Sequence, residues 1–319
     1  EPIAMVGDYG FYCRAAGRPM WEFECGDNAS RAAIQREAHL RFPHNDFMMC
    51  WTGLSRREIA ARRVVMQDGE PYMEWAESGE RVPLPPRATA ADWGESGGSI
   101  TSRSAWEQPI RCEQDIERWL GETTSADSLM EQGRYDPVAT LRRDLGDGAY
   151  LAAAAHGVFP AAMDALGGFE EAMLALRERP RLVRAVEERL AHQRSPILEA
   201  AARQGADGAW LGGYLEGADL IAPQVWREVA LPGHRIQVEA ARGAGLQGLF
   251  WFLGDAMPLL RDLAELGIDG LALEQPRRGY QSHPARVRDV VGAFGMGTTY
   301  LTSEANLGAV DHLCKEVVR

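Results

Sequence analysis

One pattern of glycine, polar and apolar residues occurs three times in the second half of the chain. In each copy, a glycine ends a helical pattern, a polar residue follows, and a short apolar run begins at or near a second glycine. The copies begin at Gly205, Gly245 and Gly267. Each copy predicts a helix followed by a buried strand, which is the repeating unit of a parallel sheet. Three such units in succession favour a (β/α)8 TIM-type barrel, in which chemistry takes place at the carboxyl ends of the strands.

Further elements follow from the same patterns. Short apolar runs predict strands over 46–51, 149–159 and 293–301, and apolar residues at helical spacing predict helices over 160–176, 180–203 and 224–243. Proline lacks the backbone donor of a helix interior, so Pro196 should kink or split one helix, and Pro232 should interrupt another.

Residues 64–110 interrupt the barrel pattern. Two short strands flank a turn at Asp68 and Gly69, and a Pro-, Gly- and Ser-rich segment over 81–105 follows. We interpret 64–110 as an insertion into a single barrel domain spanning 1–319. It would serve either as a lid over the barrel mouth or as a surface elaboration.

Composition narrows the function classes. The net charge is −12 without a basic stripe, so nucleic acid is not an expected partner. The five cysteines are scattered without a CxxC pair, which fits a reducing cytoplasm. No apolar run reaches about 18 residues, the length of a membrane-spanning helix. We therefore expect a cytoplasmic protein that acts on a small molecule and does not bind membranes.

Polar residues at the predicted strand ends are the candidates for chemistry. A carboxylate in an apolar, tryptophan-lined pocket has a raised pKa and can donate a proton near neutral pH. Imidazole and phenol groups can orient a substrate or carry a proton. The candidate catalytic residues are Glu216, Glu274, His156 and Tyr214, with Gly213 and Asp255 as candidate substrate-binding positions.

Structural roles for three of these residues stay open. Asp255 has the position of an N-cap for a helix over 256–266. Glu274 is close in sequence to Arg277 and Arg278, which could pair with its carboxylate. His156 lies among apolar residues and could be a satisfied structural group.

Two arginines near the start, Arg14 and Arg18, flank a glycine-containing turn. They could form a solvated surface pair. Alternatively, they could clamp a carboxylate or phosphate over a pocket, because guanidinium groups match these anions with two hydrogen bonds.

Taken together, these residues resemble the uroporphyrinogen decarboxylase superfamily, which includes zinc-dependent methyltransferases that work with corrinoid proteins. The resemblance covers about residues 10–318, implies a (β/α)8 barrel, and weakly implies a homodimer. Its marks are Arg14–Arg18, Asp46, Pro109–Ile110 with Glu113–Asp115, Leu220–Pro223, and Gly254–Asp255 with Leu259–Leu260 and Leu266–Asp269. The Arg14–Arg18 segment resembles the loop with which the decarboxylases hold substrate carboxylates, and the insertion resembles the methyltransferase branch.

The catalytic motifs of both branches are absent. The zinc methyltransferases carry His-x-Cys where this chain has Trp251-Phe252-Leu253, so zinc is not expected at that site. A third zinc ligand of that branch would lie on a strand beyond Arg319, which leaves open whether the last barrel segment is missing. The decarboxylases need an aspartate at about the position of Gly53.

Three functions remain open. The first is zinc-independent methyl or one-carbon transfer, with a corrinoid protein as the partner. The second is decarboxylation of a carboxylated aromatic or heteroaromatic substrate, held by Arg14 or Arg18 and protonated by Glu216 or His156. The third is a non-catalytic binding barrel. Trp51 and Trp251 occupy the positions of the family's chemistry, where an aromatic wall suits a flat or methylated ligand.

Overall fold

The computed structural model describes residues 9–42, 45–84, 109–155, 157–273, 280 and 283–291. Its helices are α1 (Tyr9–Ala16), α2 (Met20–Glu24), α3 (Asn28–Arg41), α4 (Arg56–Ala60), α5 (Glu113–Leu120), α6 (Ala126–Glu131), α7 (Asp136–Leu145), α8 (Val158–Ala165), α9 (Phe169–Glu178), α10 (Pro180–Arg203), α11 (Pro223–Gly243), α12 (Leu260–Glu265) and α13 (Pro284–Val291). Its strands are β1 (Phe47–Cys50), β2 (Arg62–Gln67), β3 (Glu70–Trp75), β4 (Arg81–Pro83), β5 (Tyr150–Ala154), β6 (Gly208–Gly213), β7 (Gln247–Phe252) and β8 (Gly270–Leu273).

Within the described ranges, five parallel strands form the central sheet in the order β1-β5-β6-β7-β8. Each strand pairs with the next sheet strand along the chain, and helices connect them. This sequential order is that of a barrel wall, whereas a doubly wound sheet reverses its order in the middle. The expected barrel-type α/β fold is therefore confirmed, and the described part of the wall is open between β1 and β8.

The two sides of the wall carry different clusters. Alternate strand residues such as Phe250 and Phe252 face the helices and join the main core with α10 and α11. The intervening residues face the interior and form a second cluster, whose members are Phe47, Met49, Trp51, Tyr150, Ala152, Ala154, Trp210, Leu249, Trp251 and Ala272. The period of two in the strands thus separates a helix-facing core from an aromatic interior.

The three repeated stretches fold as expected. Gly205, Gly245 and Gly267 end helices with φ angles of +96°, +79° and +70°, a region that favours glycine. A strand begins two to three residues after each of them. The repeat therefore marks the points where the chain enters the wall.

Several element boundaries differ from those expected. The strand predicted over 149–159 ends at Ala154, because Gly157, at φ +84°, turns the chain into α8. Helices α10 and α11 run without a break through Pro196 and Pro232. The two helices pack against each other, and this packing offsets the hydrogen bond that each proline removes.

The described part of the segment that the sequence predicts to be an insertion forms a small antiparallel sheet, β2-β3-β4. The predicted turn at Asp68 and Gly69 is confirmed, with φ angles of +53° and +84°. Met73 packs beside Cys25 and Leu84 and ties this sheet to the N-terminal helices. Residues 85–108 lie outside the described ranges, so the lid stays a prediction.

In the part of the chain that the structure describes, no helix is long and apolar enough to cross a membrane.

Candidate active site at the carboxyl ends of the strands

Aromatic side chains surround the carboxyl end of the strand bundle. The Trp251 ring lies 6.5 Å from the Trp210 ring and 6.4 Å from the Tyr214 ring. Trp51 packs against the same interior cluster from the end of β1. We refer to Trp51, Trp210, Tyr214 and Trp251 as the aromatic wall. Such a wall favours flat or methylated ligands, whose faces or cationic methyl groups it can contact.

Tyr214 is the most exposed member of the wall, with 41% of its surface accessible. Burial of the hydroxyl, with a smaller contribution from Asp164, raises the pKa of Tyr214. The phenol is therefore neutral throughout the physiological range and can donate a hydrogen bond to a ligand at the mouth.

Glu216 does not reach the open mouth but is completely buried against α11. Its Oε2 accepts a hydrogen bond from Trp226 Nε1 at 3.0 Å and lies 2.5 Å from His234 Nε2. The tryptophan beside this carboxylate is thus Trp226, and neither Trp51 nor Trp251 is its partner in this contact.

A second buried carboxylate, Glu187, lies on α10 next to this pair. A Cβ added at Gly233 would lie 2.9 Å from Glu187 Cγ, so the glycine makes room for this side chain. Among the described residues, neither oxygen of Glu187 has a hydrogen-bond partner. Burial, with the nearby charge of Glu216 second, raises the pKa of Glu187 well above its ordinary value. The fold therefore favours the protonated, uncharged form of Glu187.

The loops after β6 and β7 touch each other closely. Asp255 caps the turn after β7, since its Oδ1 accepts from Met257 N at 3.0 Å. Its own amide donates to Asp219 Oδ1 at 2.9 Å. Gly254, at φ +107°, would place a Cβ 2.9 Å from Gly217 Cα. The close approach at this glycine is therefore to another loop of the chain, and Asp255 has the structural contact of a cap.

The two arginines of the predicted clamp differ in their surroundings. Arg18 forms ion pairs with Glu22 at 3.1 Å and with Glu37 at 3.4 Å, and its side chain is 41% exposed. Arg14 is half-buried on α1. The fold therefore gives Arg18 the contacts of a solvated surface residue.

Gly53, at the position where the decarboxylases need an aspartate, has no room for a side chain. A Cβ there would lie 2.2 Å from Asn28 Oδ1. The Asn28 amide is held by three bonds, because its Nδ2 donates to Leu54 O and Gly133 O and its Oδ1 accepts from Leu54 N. This network occupies the space that a carboxylate at position 53 would need.

The same face of α3 also fixes Trp51. Gln35, which is fully buried, accepts a hydrogen bond from Trp51 N at 3.3 Å. One turn earlier, Arg31 donates to Thr52 O at 2.9 Å. The polar side chains of α3 thus hold the loop after β1 and the tryptophan that it carries.

The remaining candidates lie in different parts of the chain. Gly213 is buried, and its carbonyl accepts from Leu253 N at 3.1 Å, so it closes the wall between β6 and β7. His156 and Glu274 lie outside the described residues, and their roles stay predictions. Of the candidates from the sequence, Trp51, Tyr214 and Trp251 lie at the mouth. Glu216 lies on the helix-facing side of the strands, against α11.

The described residues do not fit the zinc site of the related methyltransferases. Trp251 and Leu253 stand where histidine and cysteine would be needed, and neither side chain can ligate zinc. Among the described residues, no group of three His, Cys, Asp or Glu side chains is arranged to hold a metal ion.

An open depression of about 560 Å³ lies beside α4. Three of its four charged side chains are already engaged, since Arg56 pairs with Asp136 at 3.4 Å and Arg134 pairs with Glu58 at 2.8 Å. It therefore lacks the free converging groups of a ligand site, and we place the candidate site at the aromatic wall.

Sequence reasoning missed the polar residues of the core, namely Glu187, Trp226, His234 and Gln237. One signal was present. His234 and Gln237 follow Trp226 by 8 and 11 residues, close to two and three helical turns, so all three share one face of α11. A histidine and a glutamine on a face that also carries Val229, Ala230 and Val238 indicate buried polar contacts.

Comparisons with known proteins fit this geometry. The family model of uroporphyrinogen decarboxylase (URO-D) matches residues 100–293. No curated protein matches the sequence. Among solved structures, a methyltransferase from Methanosarcina mazei is similar with a TM-score of 0.55 and 14% identity, over 92% of this chain and 77% of that chain. At this identity the likeness shows the fold, and both matches are to TIM barrels, as the sequence predicts.

Proposed function

The chain belongs to the uroporphyrinogen decarboxylase family, and we propose that it is an enzyme that transfers a methyl or other one-carbon group of a small molecule without a zinc ion. The observation that carries this proposal is the aromatic wall of Trp51, Trp210, Tyr214 and Trp251 at the carboxyl ends of the strands. In barrel enzymes, substrates bind at this end.

The wall supports methyl transfer more than decarboxylation. Indole faces attract methylated cations and stack on flat rings, and they carry no positive charge to pair with a carboxylate. Arg18 is paired with surface acids, and Asn28 fills the space beside Gly53. Neither Arg18 nor Gly53 therefore supplies the group that a decarboxylase of this family needs at its position. The similarity of the fold to a methyltransferase agrees with this choice.

In this proposal, the residues of the chain bind, orient and shield the substrate. Trp51 and Trp251 hold the methyl-bearing group and exclude water from it. Tyr214 keeps its proton and donates a hydrogen bond to the atom that loses or gains the methyl group, which stabilises charge developing there. A corrinoid, held by a partner protein, would supply a cobalt centre as the methyl carrier.

A two-stage experiment tests this function. Intrinsic tryptophan fluorescence is titrated with a trimethylammonium compound, a methoxylated aromatic acid and a methyl thioether. Each ligand that quenches the fluorescence is then incubated with the protein and cob(I)alamin, and methylcobalamin formation is followed by absorbance and mass spectrometry. We expect saturable quenching by at least one ligand, and methylcobalamin formation that depends on the protein.

Matched variants locate the site. Trp251→Ala should weaken binding roughly ten-fold, since it removes an aromatic face from the ligand. Phe169→Ala removes an exposed aromatic ring from α9, outside the wall, and should leave binding unchanged. Binding without methyl transfer would support a binding barrel, and release of carbon dioxide from the carboxylated ligand would support decarboxylation. Either result would contradict the proposal.

A further inference from the structure

Helix α11 carries a row of polar side chains on its buried face. Trp226, His234 and Gln237 are all completely inaccessible to solvent. Polar groups are costly to bury unless they form hydrogen bonds, so such a row needs partners. Its partners lie at the carboxyl ends of two neighbouring strands.

The first partner is Glu216 in the loop after β6. One carboxylate oxygen of Glu216 accepts a hydrogen bond from Trp226 Nε1 at 3.0 Å. The same oxygen lies 2.5 Å from His234 Nε2. The rings are themselves held in place, because the edge of His234 packs on Phe250 with centroids 4.9 Å apart, and Trp226 packs on Phe252 at 6.2 Å. The loop after β6 is thus fastened to α11 at a fixed point.

The second partner is the end of β5. Gln237 Nε2 donates to Ala155 O at 2.9 Å, just beyond the last residue of that strand. The loop after β5 in turn contacts β6, since Gly157 N donates to Gly212 O at 2.8 Å. One helix face therefore fixes two adjacent strand ends.

The residue before Glu216 has an unusual backbone angle. Leu215 has a φ of +69°, a region that costs a bulky L-residue roughly 1–2 kcal/mol. In a regular strand, residues 214 and 216 would point to the same side. The left-handed turn at Leu215 instead directs Tyr214 to the mouth and Glu216 to the helices. A strained turn persists only where surrounding contacts enforce it.

We propose that Trp226, His234 and Gln237 are positioning residues, which hold the loop 214–221 and the end of β5 and so fix Tyr214 at the mouth. Glu216 acts in this arrangement as the anchor of the loop and does not touch the substrate. The anchoring stands independently of methyl transfer, whereas its consequence for substrate binding rests on the proposed function.

Hydrogen exchange of backbone amides measures the anchor without any substrate. The loop 214–221 has three amides in backbone hydrogen bonds, those of Ala218, Leu220 and Ile221. His234→Phe keeps a ring but removes the bond to Glu216, and Trp226→Phe removes the indole donor together with part of the buried ring. We expect exchange at the three amides to become at least about ten-fold faster in His234→Phe and several-fold faster in Trp226→Phe.

Two further variants serve as controls. His234→Gln retains a donor at the position of Nε2 and should restore most of the wild-type protection. Glu187→Gln changes a buried acid of the same core that has no hydrogen bond to the loop among the described residues, and exchange in the loop should stay as in the wild type. These controls separate loss of the anchor from general disturbance of the core.

The test compares the hydrogen-exchange rates of the loop amides with those of the rest of the chain. Unchanged loop exchange in Trp226→Phe and His234→Phe, or an equal increase over the whole chain, would overturn the proposal. If His234→Phe does not fold, exchange at the loop amides of Trp226→Phe, relative to the rest of the chain, decides the matter. If the loop loosens but no methyl transfer is found, the anchor stands and the proposed function fails.

For an active protein, a kinetic readout follows from the same geometry. His234→Gln should leave both kcat and KM near their wild-type values. Trp226→Phe should lower kcat/KM several-fold, because a mobile Tyr214 donates its hydrogen bond to the reacting atom less often. An unchanged kcat/KM in Trp226→Phe, or a loss in His234→Gln as large as that in Trp226→Phe, would contradict a positioning role.

Discussion

Tyr214 and Glu216 are separated by one residue, yet they lie on opposite sides of the barrel wall. Tyr214 contacts Trp251 of the aromatic wall, and Glu216 contacts His234 of α11. The positive φ of Leu215 produces this reversal. The mouth and the bond between Glu216 and His234 are therefore connected through a single turn of the chain, and loss of that bond should be measurable at the mouth.

The buried acid Glu187 should make stability depend on pH. Its pKa is raised in the folded protein, so it keeps a proton that the unfolded chain loses above the ordinary pKa of 4.5. The folded state then binds more protons than the unfolded state, and stability falls as the pH rises. The loss can reach about 1.4 kcal/mol per pH unit until the pH reaches the folded pKa.

Glu187→Gln removes this dependence, because the amide has the same shape and no charge. The variant should be more stable than the wild type at pH 7, and the difference should shrink towards zero as the pH falls below 4.5. Urea unfolding at a series of pH values measures it. A variant that is less stable at pH 7 would mean that Glu187 is ionised and paired.

Gly53 should not tolerate a side chain while Asn28 is present. Gly53→Ala should destabilise the protein by about 2–4 kcal/mol, because the new Cβ displaces the Asn28 amide from its three hydrogen bonds. Asn28→Ala also loses these bonds, so the double variant should cost clearly less than the sum of the two single variants. Additive losses in the unfolding free energies would show that the two residues do not compete for space.

Arg18 should be dispensable for ligand binding. Its guanidinium is shared between Glu22 and Glu37 on the surface, and such exposed pairs contribute less than about 1 kcal/mol. Fluorescence titration of Arg18→Gln should give a Kd within about two-fold of the wild-type value, because the guanidinium group is paired with surface acids. A large loss of affinity for the carboxylated ligand alone would favour the decarboxylase alternative.

Tyr214 should act as a neutral hydrogen-bond donor. Tyr214→Phe keeps the ring beside Trp251 and removes the hydroxyl, which should lower affinity or turnover by roughly five-fold, as expected for one hydrogen bond. Because the pKa of Tyr214 is raised above its ordinary value of 10.0, the ratio of wild type to variant should stay constant up to that pH. A ratio that changes near neutral pH would indicate that another group titrates.

The architecture was accessible from the sequence because it depends on local rules. Glycines with left-handed backbone at Gly205, Gly245 and Gly267 mark helix ends, and apolar runs after them mark buried strands. The lengths of α10 and α11 could not be predicted from the sequence, because Pro196 and Pro232 by themselves indicate breaks in the helices. Packing between the two helices decides that question, and packing is not a property of a single segment.

The site was less accessible because it depends on where side chains point. The resemblance to the family singles out Trp51 and Trp251, because they stand where the family places its chemistry. Glu216 also follows a strand, but a single left-handed residue turns it behind the wall. Its partner His234 is 18 positions away along the chain, so their contact arises only when β6 and α11 pack together.

The most direct test of the central claim is methyl transfer measured after zinc has been removed. The protein is dialysed against a strong chelator, its zinc content is determined by mass spectrometry, and methylcobalamin formation is compared before and after chelation and after zinc is added back. We predict rates that are equal in all three samples, with Trp251→Ala strongly impaired in each. Activity that is lost with the metal and restored by zinc would contradict a zinc-independent aromatic site.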